Sequence, residues 1–327
     1  MNDKVLNWGF LSTAHINRAL IKPLRSSKRN KLLAVASREQ AAADEYARLW
    51  KIPRALGSYE ALINDPEIDV IYNSLPNHLH AEWSIKALKA GKHVLCEKPI
   101  ALSLKEIDAM ISASQKTGKV LAEAFMYRHH PQTLKAYEMV ANGMLGELQA
   151  VKGAFTFTLT RENDIRTKRE TGGGSIWDVG CYPISYARTI VHSEPIEVFG
   201  SQVMGPGGAD ISFFGQMRFP NDIYAQFDSG FNSPSRSFIE IIGSNATLNI
   251  PVPFKPGNGE KIYFVKDNRT ETIRMPGQEL YIGEVEDMAD AILLGKSPRV
   301  SLADSRKNTE VILALIKSAE TGKPIKL

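Results

Sequence analysis

The first 125 residues alternate short apolar runs with amphipathic segments, and few folds accept that rhythm. Residues 5–11, 31–37, 70–74, 93–96 and 120–124 read as buried strands. Between them, residues 38–50, 58–64, 78–90 and 104–117 carry the composition or apolar spacing of helices. Strands apolar on both faces and separated by helices require a parallel sheet covered on both sides. Ser103 and Glu106 open the last helix as a capping box, and Gly118 closes it. A doubly wound α/β domain is predicted.

From about residue 148 the period changes. Residues 148–159, 198–204, 211–219, 223–231, 237–242 and 246–250 are strand-like and rich in Phe and Ile. Turn signals at 205–208, 220–222, 232–234 and 243–245 separate them, and such short connections suit antiparallel pairing. One helix, residues 175–189, interrupts the series; two more, 279–294 and 301–321, close it. The expectation is an α+β domain with a mostly antiparallel open sheet. The division falls at 124/125, with residues 1–124 for a dinucleotide and 125–327 for substrate and oligomer contacts. The short join at 124–131 implies a shared cleft, and 327 residues suit two domains.

Composition narrows the partners. A net charge of +4 is weak, and Lys and Arg are scattered rather than striped, which argues against nucleic acid. No apolar run approaches the ~20 residues of a membrane helix. The start, Met1 to Phe10, lacks the pattern of a secretory leader. Two cysteines, Cys96 and Cys181, cannot build a disulfide scaffold and suit a reducing, cytoplasmic setting.

The turn after the first strand reads GFLSTAHIN, residues 9–17. A dinucleotide fingerprint would place glycines at 12, 14 and 17, where this chain has Ser12, Ala14 and Asn17. The small residues still allow close backbone approach, and a helix starting near Ala14 would favour a pyrophosphate. Ser12, Thr13, Ala14, His15 and Ile16 are the candidate contacts; a tight turn without a ligand is the alternative. The second strand ends in Ser37 and Arg38 instead of the acid common in NAD sites. A guanidinium clamps a 2′-phosphate, so NADP is favoured over NAD.

Three further features belong at the chemistry end. Glu97, Lys98 and Pro99 follow the 93–96 strand, and Leu75, Pro76, Asn77 and His80 follow the 70–74 strand. Both stretches lie where doubly wound sheets bind ligands. Asp178 and Tyr182, four apart on the helix after Gly172, Gly173 and Gly174, share a face. The glycines are expected to leave the helix N–H groups open to a ligand. Taken singly, each motif has a bland explanation: a surface turn, or a structural hydrogen bond. His78 with His80, and His129 with His130, lack a nearby third ligand, so no metal is expected.

In this order the motifs resemble the glucose–fructose oxidoreductase/inositol dehydrogenase (Gfo/Idh/MocA) family. The matching stretches are GFLSTAHI, LPNHLH, HVLCEKPIALS, EAFMYRHHPQ, GGGSIWDVGCYP and the C-terminal VSLADSRKNTEVILALIKSAETGKPIKL. EAFMYRHHPQ with Tyr182 looks most like the D-xylose dehydrogenase and dihydrodiol dehydrogenase branch. The resemblance implies a Rossmann domain followed by an open-sheet α/β domain. It implies Lys98 as catalytic lysine, Asp178 as the helix-borne acid and Tyr182 at the position four later. It also puts Arg166, Tyr127 and Arg128 beside nicotinamide and substrate, and implies a homodimer or homotetramer paired through the C-terminal sheet.

The predicted activity is NADP-dependent hydride transfer at a hydroxyl or carbonyl carbon of a sugar, polyol or diol. Tyr182 is expected to move the proton, its phenol drawn down from about 10 by the Lys98 ammonium. Lys98 also polarises the substrate oxygen, and Asp178 orients the pair or a neighbouring hydroxyl. Two other readings stay open: an NAD-dependent glycosidase using transient oxidation, and a non-catalytic NADP-binding regulator.

Overall fold

A computed structural model describes residues 4–327, so Met1 to Asp3 of the N-terminal stretch lie outside the described residues. The chain divides into two compact units.

The first unit comprises residues 1–126 and 281–306. Its early elements are β1 (Leu6–Leu11), α1 (Arg18–Ser26), β2 (Asn30–Ala36), α2 (Gln40–Trp50), β3 (Arg54–Leu56), α3 (Tyr59–Ile63) and β4 (Val70–Asn73). Then come α4 (His80–Lys89), β5 (His93–Glu97), α5 (Leu104–Thr117) and β6 (Leu121–Ala124). The six strands are all parallel, in the order β3-β2-β1-β4-β5-β6. That is the doubly wound order, with its topological switch between β1 and β4. The central strands are apolar on both faces because helices cover both: β4 is buried at all four positions. Ser103 Oγ accepts the Glu106 N–H at 3.2 Å, and Gly118 takes φ +63 at the end of α5, as the capping signals required.

The second unit comprises residues 127–280 and 307–327. It opens with α6 (Pro131–Ala141) and β7 (Leu148–Thr158), followed by α7 (Cys181–Val191). Its further strands are β8 (Glu197–Met204), β9 (Asp210–Arg218), β10 (Tyr224–Gly230), β11 (Asn232–Gly243), β12 (Thr247–Ile250), β13 (Lys261–Lys266) and β14 (Arg269–Arg274). They form a nine-stranded sheet with the C-terminal pair Ile325–Lys326. All its pairings are antiparallel except β10 on β7. The row Gly200, Gly215, Phe227 and Gly153 runs across four neighbouring strands in register. A Cβ on Gly215 would strike the Phe227 ring, so glycine there is what lets that ring lie flat on the sheet.

The expected architecture is therefore present, but the division is not a single cut at 124/125. The helix α8 (Ile282–Leu294) returns to the first unit. Val285, Met288, Ala289 and Ile292 form one stripe and pack with Trp8, Leu20 and Leu24. Burying Val285 and Met288 contributes about 1.5–3 kcal/mol each, more than the part-exposed ion pairs Arg29 makes with Glu286 and Asp290. Among the described residues no helix is long and apolar enough to cross a membrane, and no group of three potential metal ligands occurs.

Candidate active site

In the first unit, parallel pairing sends the ends of β1, β2, β4 and β5 to one sheet edge. At the switch point Ser12 follows β1 and Ser74 follows β4, and their hydroxyls meet at 2.9 Å. Ser12 adopts φ +147, a region almost reserved for glycine that costs on the order of 1–3 kcal/mol elsewhere. Its polar groups offset that cost. Ser12 Oγ accepts the Ala14 N–H at 3.1 Å, and its carbonyl accepts Asn17 Nδ2 at 2.7 Å. Two of the three glycine positions, 12 and 17, are thus occupied by residues whose side chains brace the turn, and Ala14 contributes its backbone N–H. Thr13, Ala14 and Ile16 are part-buried, and His15, exposed, opens a single 3-10 turn at His15–Asn17 before α1.

At the end of β2, Ser37 N–H donates to the Leu56 carbonyl at 3.0 Å, which ties the turn to β3. Arg38 is exposed, and its guanidinium lies against the Tyr59 hydroxyl; burial raises the Tyr59 pKa and Arg38 opposes the rise.

At the end of β4, Leu75 is buried with its N–H on Asn73 Oδ1 at 3.3 Å. Pro76 and Asn77 are part-buried, and Asn77 opens the turn Asn77–Leu79. His80 is wholly buried, and its Nδ1 and Nε2 face the carbonyls of Pro99 (2.8 Å) and Leu75 (2.7 Å). Burial pushes its pKa down to about 4. Both ring nitrogens lie at hydrogen-bond distance from backbone carbonyls, so the ring ties the loops after β4 and β5 together.

At the end of β5, Glu97 accepts the hydroxyl of the buried Tyr72 on one oxygen and the Lys98 N–H on the other, at 3.2 Å. Lys98 is part-buried, and its peptide to Pro99 is cis.

In the second unit the helix carrying Asp178 and Tyr182 is not a single α-helix. Residues Ile176–Gly180 form a π-turn, and α7 begins at Cys181. The wider turn alters the angular offset between Asp178 and Tyr182 from the α-helical value. The glycines do not leave its N–H groups open either. Buried Asp210 accepts Ser175 Oγ at 2.5 Å and the Ile176 N–H at 3.1 Å on the same oxygen. Gly172, Gly173 and Gly174 donate to the carbonyls of Arg169, Lys168 and Arg166. A carboxylate of the protein already occupies the place expected for a ligand.

Arg166 donates from Nε to Asp178 Oδ2 at 2.9 Å and from one terminal nitrogen to both oxygens of Asp164 at 3.2 Å. Asp178 first, then Asp164, holds its charge by attraction against the effect of burial. The guanidinium thus bridges two carboxylates and anchors Asp178. Tyr182 is buried in an aromatic cluster, with ring centroids 5.6 Å from Tyr127, 5.4 Å from Phe155 and 5.4 Å from Phe254. Tyr127 is also fully buried, stacked on Tyr186 at 5.7 Å, and therefore supports Tyr182 from behind. Arg128 donates to Ser185 Oγ on α7 at 3.0 Å. Sequence reasoning missed Phe155, Phe254 and Asp210, which come from distant strands and loops and carry no local motif.

Comparison with known proteins identifies the family. Residues 6–125 match the oxidoreductase family with an NAD-binding Rossmann fold, and residues 133–249 match the GFO/IDH/MocA C-terminal domain. The chain is 35% identical to D-xylose 1-dehydrogenase (NADP(+)) 2 of Haloferax volcanii, over 98% of this chain and 99% of that one. It is 31% identical to trans-1,2-dihydrobenzene-1,2-diol dehydrogenase of Danio rerio, over 75% of this chain and 74% of that one. A crystal structure of a 3-ketoreductase from Actinomadura kijaniata with NADP and TDP-benzene superposes with a TM-score of 0.91 at 25% identity, over 96% of this chain and 98% of that one. With both domains matched and relatives aligned along nearly the whole length, the chain belongs to the Gfo/Idh/MocA family of oxidoreductases.

Proposed function

We propose that the protein is an NADP-dependent dehydrogenase or reductase acting on a hydroxyl or carbonyl carbon of a sugar, polyol or diol. The observation that carries this reading is Lys98, mounted at the carboxyl edge of a doubly wound sheet beside its switch point. The named activities of the Haloferax and Danio relatives support the substrate class. NADP supplies or accepts the hydride when bound. The residues at the edge fit it: a braced turn at Ser12 for the pyrophosphate and the exposed Arg38 for the 2′-phosphate.

The first unit is read as holding the cofactor and the second as binding the substrate. Lys98 polarises the substrate oxygen as charge develops on it. Tyr182 gives or takes the proton of that oxygen, and its aromatic neighbours exclude water from the transfer. Asp178, held by Arg166, orients the substrate and does not itself transfer a proton.

An absorbance screen of reduced nicotinamide tests the reading: D-xylose, other aldoses, polyols and trans-diols against NADP and NAD, in both directions. Cofactor binding without turnover of any member would sink it. Within that screen Arg38→Ala is expected to raise the KM for NADP about ten- to a hundredfold, the loss of roughly 1.5–3 kcal/mol of charge-assisted bonding, and to leave the KM for NAD nearly unchanged. Equal effects on both cofactors would remove Arg38 from the phosphate site.

The assembly is read as a homodimer or homotetramer through the open face of the second sheet. Phe199 (40% exposed), Val203 (48%), Phe214 (52%) and Tyr224 (37%) project from β8, β9 and β10, more apolar surface than a solvated strand face carries. Sedimentation equilibrium is expected to show the oligomer, and Phe214→Glu to dissociate it; a wild-type monomer would end the proposal. Cys96 and Cys181 are both buried thiols, and thiols in place of disulfides suit a reducing, cytoplasmic setting.

A further inference from the structure

Beneath Lys98, three consecutive residues have main-chain groups gripped by ionisable side chains. The Lys98 N–H donates to Glu97 Oε2 at 3.2 Å, the Pro99 carbonyl faces His80 Nδ1 at 2.8 Å, and the Ile100 N–H donates to Glu123 Oε1 at 2.9 Å. The three grips come from β5, the start of α4 and β6. Glu97 is in turn fixed by the Tyr72 hydroxyl from β4. The backbone that carries the Lys98 side chain is thus held from the strands on both sides of its own.

His80 also reaches a second loop of the sheet edge, at the Leu75 carbonyl. Its own carbonyl accepts Asn73 Nδ2 at 3.1 Å, and the same Nδ2 donates to Ser84 Oγ at 3.0 Å. Asn73 Oδ1 also takes the Leu75 N–H, so His80 is locked to the end of β4 at both main chain and ring. An apolar residue of equal volume would fill the space but leave two buried carbonyls facing hydrocarbon.

We propose that His80 is a positioning residue: its imidazole bridges the carbonyls of Leu75 and Pro99 and fixes the Lys98 amine relative to the loop after β4. The inference rests on Lys98 being the working amine of this unit. Both ring nitrogens lie within hydrogen-bond distance of a carbonyl, and a neutral imidazole donates its single N–H to one of them, which one being set by the tautomer, while the imidazolium donates to both. Burial lowers its pKa, as do the charges of Lys98 and His78, while the two carbonyls oppose the shift.

The test reads Lys98 directly and needs no substrate. Reductive methylation with isotopically labelled formaldehyde gives each lysine amine an NMR signal, and the Lys98 signal is the one lost in Lys98→Arg. In folded His80→Ala the Lys98 signal is expected to shift and broaden and the other lysine signals to stay in place. His80→Gln, whose amide donates to one carbonyl, should move it less. A Lys98 signal unchanged in folded His80→Ala overturns the proposal. Should His80→Ala fail to fold, His80→Gln carries the test alone, and an unmoved Lys98 signal there overturns it equally. Turnover of Lys98→Met is a separate measurement: normal activity in that variant removes Lys98 from the chemistry, whatever its signal does in the His80 variants.

Discussion

Lys98→Met is expected to lower kcat about a hundred- to ten-thousandfold while the protein remains folded and still binds NADP. The methionine keeps the length of the side chain and removes only the charge and the proton donors. The mount beneath it, held through the main chain by Glu97, His80 and Glu123, is untouched by the change. The lost rate therefore measures the amine. Tyr182→Phe should cost a similar factor for a different reason. Its ring packs between Tyr127, Phe155 and Phe254, and phenylalanine preserves those contacts, so stability holds and only the hydroxyl disappears. Steady-state kinetics on a substrate from the screen, with fluorescence titration of NADP alongside, checks both. Near-normal kcat in either variant would strike that residue from the proposed mechanism.

The second large effect is structural and begins at Asp210. One of its oxygens takes both Ser175 Oγ and the Ile176 N–H at the entrance of the π-turn. Burial raises the Asp210 pKa, and the hydrogen bonds from Ser175 and Ile176 oppose the rise. Asp210→Ala would leave the buried Ile176 N–H without its acceptor, at about 1–3 kcal/mol, while Ser175 Oγ keeps Ser229 within reach. A loss of about 1–3 kcal/mol in chemical denaturation is expected, together with reduced kcat, because Asp178 sits two residues beyond Ile176. Asp210→Asn keeps an acceptor oxygen and should lose less. A change within roughly 0.5 kcal/mol for the alanine variant, the range of an ordinary surface substitution, would show that the carboxylate does not hold the turn.

Much of this was legible because parallel strands write their burial plainly. Apolar runs such as residues 70–74 and the capping residues Ser103 and Gly118 reveal period and ends without tertiary help. Other parts had no local signature. The hairpin of β13 and β14 has an exposed outer strand, RTETIR, whose alternation is too polar to stand out. The helix α6 starts on Pro131, inside what reads as a short connection. The π-turn leaves no periodic trace in five residues. His80 and Arg166 were found as positions without the hydrogen bonds that hold them, since a sequence shows that a polar side chain is present and not what consumes its hydrogen bonds. Asp210, 32 residues beyond Asp178 along the chain, is tied to that helix only by folding.

The return of α8 to the first unit bears on how the protein is made. Arg29 finds Glu286 and Asp290 more than 250 positions later, and Trp8 and Leu20 are covered by Val285 and Met288. A ribosome has therefore to deliver nearly nine-tenths of the polypeptide before the earliest strand acquires its complete cover. During elongation the nascent nucleotide-binding half carries a bare oily flank, and a gene fragment ending at residue 126 would encode it without the piece that closes it.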